Sequence, residues 1–260
     1  MLRPRIIPCL LIHNKGLVKT IRFSEPKYIG DPINAVKIFN EKEVDELIVL
    51  DIDATREKRE PDYKMISHLA EECRMPLCYG GGITTTDQVK RIIGLGVEKV
   101  AISAAAITNP RFISEAANEV GCQSVVVVLD IKRQLLPGKY EVKLINGTKS
   151  TSICPFDLVK ELEQLGAGEI VINSIDNDGK MKGYDEFLVD KIRKSIHIPI
   201  TVLGGAGSLQ DIRQLFQKFG TLGAAAGSLF VFKGIYRAVL INYPNREEKD
   251  ILINENNLYY

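Results

Sequence analysis

Short runs rich in Val, Ile and Leu recur along the chain at residues 5–12, 46–51, 76–79, 99–103, 124–130, 169–174, 199–203 and 223–226. They are continuous rather than alternating in polarity, the pattern of parallel strands covered on both faces. Between them lie stretches of helical periodicity at 33–42, 64–72, 87–95, 110–119, 156–165, 187–195 and 209–219. Strand and helix therefore alternate. Thr86 or Asp87 is placed to cap a helix start, and Gly96, Gly121 and Gly166 are placed to end helices.

A weak internal repeat sharpens the architecture. Gly204-Gly205-Ala206-Gly207 echoes Gly80-Gly81-Gly82-Ile83 at an offset of 124 residues. The strand ending in Asp176 echoes the one ending in Asp53 at 123, and the Asp130 region echoes the Leu11 region at 119. Two similar four-stranded halves closing on each other predict a (βα)8 TIM barrel, with reactive groups at the C-terminal strand ends. A doubly wound open sheet is the competing fold, disfavoured because no GxGxxG follows the first strand.

The length of 260 residues suits one such barrel over 1–244, followed by a polar, Asn-rich tail over 245–260 that ends in Tyr259-Tyr260. Whether that tail packs or is disordered is left open by its composition. The 34 basic and 33 acidic side chains nearly cancel, so no broad cationic field exists for nucleic acid or an anionic membrane. Five cysteines without a CxxC pair, none clustered with the three histidines, predict reduced thiols, no metal and a cytoplasmic location. The apolar run from Ile6 to Ile12 follows two arginines as in a signal peptide, but its shortness and the lack of a cleavage site favour a buried first strand.

Two constellations carry candidate chemistry. Glycines at strand ends let backbone N–H groups approach an anion, and a following helix start adds a favourable dipole. Gly80, Gly81 and Gly82 with Ser103 and Ala104 form one such cradle. Gly179, Gly204, Gly205, Ala206 and Gly207 with Ala226, Gly227 and Ser228 form a second on the other half, so the pair predicts a bis-phosphate ligand. The plainer alternative is that these glycines only permit tight turns. Asp51, Asp130, Asp176 and Asp178 follow apolar runs and would face the barrel mouth as acid–base candidates. Capping and Asx turns compete with that role, most credibly in Asp176-Asn177-Asp178-Gly179.

The ordered segments IIPCL, Lys19 in a long first loop, GDP at 30–32, DELIVLDIDA, YGGGI, GVEKVAI, GAGEI, SIDNDG, GGAGS and AAGSLF resemble the HisF family, the cyclase subunit of imidazole glycerol phosphate synthase, over residues 3–243. The resemblance implies a lyase-type barrel without cofactor. It would receive ammonia from a separate HisH-like glutaminase in a heterodimer and use it on a bis-phosphorylated ribulosyl substrate. The products would be imidazole glycerol phosphate and an aminoimidazole carboxamide ribotide. Asp130 and Lys19 fall on catalytic positions, with Asp51 and Asp178 at the substrate mouth.

The family pattern breaks at its first catalytic Asp, where this chain has Leu11, a residue that neither gives nor takes a proton. Ser103 stands where Asn is usual and Leu203 where Ser is typical. Arg5, Glu46, Lys99 and Glu169 match the charged ring through which ammonia enters at the N-terminal barrel face, although solvated strand-start charges are the simpler reading of such residues. No glutaminase machinery is expected here, because no GxCxG elbow surrounds any cysteine. An intact entrance with an altered mouth suggests a paralogue that delivers ammonia to another acceptor, as in amidino-sugar synthesis for surface polysaccharides. An active cyclase of histidine biosynthesis, with the missing Asp compensated, and a non-catalytic phosphate-binding scaffold are the alternatives.

Overall fold

The computed structural model describes residues 3–254. Eight parallel strands form its centre: β1 (Arg5–His13), β2 (Leu47–Asp51), β3 (Leu77–Gly80), β4 (Lys99–Ile102), β5 (Val125–Arg133), β6 (Glu169–Ser174), β7 (Ile200–Leu203) and β8 (Gly223–Ala226). Each pairs with the next, and β8 pairs back onto β1 with Arg5 opposite Gly223 and Pro8 opposite Ala226. Closure removes the free edges that a doubly wound sheet would have, so the fold is a (βα)8 barrel.

Alternation along each strand divides the apolar residues between two cores. Ile7, Cys9, Ile48, Cys78, Val128 and Val171 fill the barrel interior, whereas Ile6, Leu10, Val49 and Val127 face the surrounding helices. Helices at Pro32–Glu41, Tyr63–Glu72, Thr86–Gly94, Arg111–Val120, Pro155–Gln164, Glu186–Arg193 and Leu209–Phe219 follow the periodic stretches of the sequence. The third of these differs in its cap. Thr85, rather than Thr86 or Asp87, accepts from the Gln88 backbone, and Gln88 returns the bond in a capping box.

The two halves repeat each other in detail. Ile52 N–H donates to the Ile12 carbonyl at 3.1 Å, and Ile175 N–H to the Ile131 carbonyl at 3.0 Å. Asn14 N–H donates to the Asp53 carboxylate at 2.8 Å, and Arg133 N–H to that of Asp176 at 2.7 Å. β1 and β5 both run on into antiparallel hairpins above the barrel, formed by Gly16–Ile21 with Ser24–Gly30 and by Tyr140–Leu144 with Lys149–Ser150.

Within the polar C-terminal stretch, Arg246–Asn254 is a helix packed on Leu209–Phe219, with Leu252 and Ile253 buried. Residues 255–260, Tyr259 and Tyr260 among them, lie outside the described residues.

Candidate functional site

The C-terminal strand ends open into a cavity of about 580 Å³. Strand parity puts Cys9 and Leu11 inward from β1 and Asp130 inward from β5, so Leu11 and Asp130 both line this mouth. Leu50 and Leu203 line it as well. Leu11 stands opposite Leu50 in register, so the wall beside it carries an aliphatic pair where a carboxylate would be needed.

Asp130 accepts a hydrogen bond from the Asn173 side-chain amide at 2.9 Å. Burial pushes its carboxyl up to about 7; the Asn173 bond pulls it down and the nearby Asp178 charge adds to the rise. A carboxyl of that acidity exchanges protons near neutral pH. The carbonyl oxygen of Asn173 is buried without a hydrogen-bond partner. Motif reading passes over Asn173, whose one signal is a polar residue directly after the apolar run Ile170-Val171-Ile172.

Lys19 reaches back from the first hairpin, and its ammonium donates to the carbonyl of Cys9. It is buried, and that burial lowers its pKa, opposed by Cys9 and Asp178. Gly227 packs closely against the Lys19 side chain, so a side chain at 227 would displace the ammonium from its place.

The remaining carboxylates divide by environment. Asp51 accepts from the backbone N–H groups of Asp53 and Ala54 at 2.9 and 3.1 Å, with Arg59 at 3.6 Å. Its side chain therefore shapes the turn after β2, the capping role that competed with acid–base chemistry, while still bordering the cavity. Burial raises the Asp51 pKa against those hydrogen bonds. Asp176 is similarly committed to Arg133 N–H. Asp178 instead faces the first hairpin, accepting from the Thr20 hydroxyl at 2.9 Å and the Phe23 N–H at 3.3 Å. It ties that hairpin down over the mouth.

Both glycine groups border the same cavity except for Gly207, which instead packs against the Met181 backbone. Gly81 and Gly82 have φ of +130° and +72°, and a Cβ on either would sit 2.6 Å from a carbonyl oxygen, of Asp51 and Arg59 respectively. Gly204, at φ +92°, is pressed against Ser174 in the same way. Ser103 precedes the short helix Ala104–Thr108 and Gly227 precedes Ser228–Val231, neither start capped by a side chain. Gly179 and Gly205, also at positive φ, complete the second group.

At the opposite end of the barrel, Arg5, Glu46, Lys99 and Glu169 meet in one alternating ring. Arg5 contacts Glu46 directly and Glu169 at 2.7 Å, and Lys99 contacts each carboxylate at 2.9 Å. Both carboxylates are buried. Burial alone would raise the Glu169 pKa, but Arg5 and Lys99 hold it down to about 2. The same pairing raises Arg5 and Lys99 against their own desolvation.

No group of three or more potential metal-ligating side chains occurs among the described residues, and none of their helices is long and apolar enough to cross a membrane.

The family model described as "Histidine biosynthesis protein" matches residues 5–236. Over 252 residues the chain is 60% identical to a protein of Leptospira interrogans provisionally named imidazole glycerol phosphate synthase subunit HisF, covering 97% of this chain and 99% of that one. It is 42% identical to the imidazole glycerol phosphate synthase subunit HisF of Lactococcus lactis subsp. cremoris, over 88% and 89%. With that of Natranaerobius thermophilus it shares 38%, over 96% and 99%. Identity sustained over nearly the full length of these proteins, on a closed (βα)8 barrel, establishes that the chain belongs to the HisF family of imidazole glycerol phosphate synthase subunits.

Proposed function

We propose that this chain is the synthase subunit of a glutamine amidotransferase: ammonia released by a separate HisH-like glutaminase enters at the ring of Arg5, Glu46, Lys99 and Glu169 and reacts with a phosphorylated acceptor at the mouth. The observation that carries this reading is the alignment of three features on one barrel axis. The paired ring closes the N-terminal end, the interior residues Ile7, Cys9, Ile48 and Cys78 are apolar, and Asp130 and Lys19 stand at the far end. An apolar interior favours uncharged NH3 over ammonium, because desolvating an unpaired cation is costly.

At the mouth, the Gly81/Gly82/Ser103/Ala104 and Gly179/Gly204/Gly205/Gly227/Ser228 groups would bind the two phosphates of an acceptor lying across the cavity. Asp130 would take and return the proton as nitrogen attacks, and Lys19 would steady negative charge developing beside it.

Two acceptors compete. The names of the relatives favour ring closure of a bis-phosphorylated ribulosyl substrate to imidazole glycerol phosphate and an aminoimidazole carboxamide ribotide, the reaction of histidine biosynthesis, and Asp130, Lys19 and Asp178 support it. Leu11 favours an acceptor that needs no second carboxylate, such as an acetamido sugar of surface-polysaccharide synthesis. The chain is mixed with a HisH-type glutaminase, 15N-amide-labelled glutamine and the ribulosyl substrate. Labelled imidazole glycerol phosphate supports the cyclase. Glutamine hydrolysis stimulated by the chain without that product supports the other acceptor. Absence of stimulation and of product leaves a phosphate-binding scaffold.

A further inference from the structure

The first strand of the barrel starts before its neighbour does. Arg5 to Pro8 pair with β8, but pairing with β2 begins only at Cys9, opposite Ile48. In a parallel ladder successive residues turn their backbone groups to opposite sides. Arg5 N–H accordingly goes toward β8, donating to the Leu222 carbonyl at 3.1 Å. Ile6 turns its N–H and carbonyl to the other side, where no strand residue meets them.

Two side chains occupy the missing positions. Asp45 accepts the Ile6 N–H at 2.9 Å, and the Tyr243 hydroxyl donates to the Ile6 carbonyl at 2.7 Å while accepting from Asp45 N–H at 3.2 Å. Lys249, from the C-terminal helix, neutralises Asp45 at 2.9 Å and donates to the Glu43 carbonyl at 3.0 Å. Ile6 adjoins Arg5 and Asp45 adjoins Glu46, so this bracket fixes the backbone of two of the four ring residues. The parts come from residues about 240 apart in sequence.

We propose that Asp45 and Tyr243 are positioning residues of the charged ring: they replace the absent stretch of β2, hold Ile6, and thereby set where Arg5 meets Glu46 and Glu169. The C-terminal segment then governs the barrel entrance without touching any ring side chain through Tyr243 itself. The effect on ammonia passage rests on the function proposed above; the effect on Arg5 does not.

The test uses Tyr243→Phe, which removes the hydroxyl and keeps the ring packed on Phe230 at 5.3 Å between centroids. Arg3→Gln, which breaks the exposed Arg3–Asp250 pair of the same helix, serves as control. Hydrogen exchange of the Ile6 amide and of the Arg5 guanidinium is measured by NMR on the full chain alone. The expected result is at least tenfold faster exchange at Ile6 and threefold at Arg5 in Tyr243→Phe, with wild-type rates in Arg3→Gln. Unchanged Arg5 exchange in Tyr243→Phe, or equal acceleration in both variants, overturns the positioning role. Product formation with a HisH-type glutaminase then separates the two ideas. A glutamine-driven loss at least threefold larger than the ammonium-driven loss supports both. Faster Arg5 exchange with equal losses supports the bracket and overturns passage through the ring.

Discussion

The Asn173 amide donates to the Asp130 carboxylate at 2.9 Å, on adjacent strands where the two residues stand opposite each other in register. Since burial outweighs this bond and leaves Asp130 near 7, the folded protein holds a proton there that the unfolded chain, with an ordinary Asp, releases near 4. The associated stability is full below about pH 4 and is lost as pH rises through about 7. Asp130→Asn removes the charge and should therefore stabilise the protein at pH 8, on the order of 4 kcal/mol, with little effect at pH 4. Thermal melts at the two pH values check this; equal shifts at both would mean that Asp130 does not titrate in this range. Asn173→Leu should move the Asp130 midpoint upward, seen in the 13C carboxyl titration, because the bond that favours the charged form is lost.

Leu11 lines the mouth with Asp130, and its register partner Leu50 supplies no replacement carboxylate. A missing general acid–base group typically costs ~10²–10⁴ in rate. The chain should therefore turn over the bis-phosphorylated ribulosyl substrate with ammonium far more slowly than a HisF carrying Asp at this position, and Leu11→Asp should recover a tenfold or larger part of the difference. Wild-type turnover within tenfold of such a HisF would show that Asp51, Asp178 or another residue supplies the proton.

Inorganic phosphate should bind at both glycine groups and raise the melting temperature with concentration, as any ligand of the folded state does. Gly82→Ala, whose Cβ would meet the Arg59 carbonyl at 2.6 Å, should remove the effect at one group and leave that at the Gly205/Gly227/Ser228 group. Two bound anions in a structure grown in phosphate, Gly82→Ala keeping only the second, is the expected outcome. Loops closed over their own side chains without an anion would reduce these glycines to turn formers.

The barrel was legible in the chain because its strands are buried on both faces and read as continuous apolar runs, and because 204–207 repeats 80–83. The ring of Arg5, Glu46, Lys99 and Glu169 was expected from the family resemblance, since charged residues at strand starts read by themselves as solvated. Three features needed the folded geometry. The hairpins after β1 and β5 are built from mixed, partly exposed residues such as Ser24–Gly30, whose polarity resembles a loop. Asp51 and Asp178 look alike in sequence, yet one is spent on its own turn and the other ties down a distant hairpin. Tyr243 lies just before the polar tail with no motif around it, and only barrel closure brings its hydroxyl to Ile6.

Lys99 bridges Glu46 and Glu169 at 2.9 Å each, so Lys99→Ala leaves two buried carboxylates facing Arg5 alone. Removing one partner of such a buried pair typically costs about 3–5 kcal/mol, and the Glu169 pKa should rise from about 2 because one of the cations that lowers it is gone. That stability, tied to a depressed carboxyl, is present above the ordinary Glu pKa and lost as pH falls toward 2, so the variant should lose less on acidification than wild type. If the ring is the ammonia entrance, removal of Lys99 changes the plug at the barrel axis and disturbs coupling to a glutaminase docked on that face. Ammonium added to solution reaches the mouth directly. Product formation should thus fall more with glutamine than with ammonium, measured with the natural partner present in both cases. Equal losses would assign Lys99 to the fold or to the acceptor site, and the entrance would then have to be sought elsewhere.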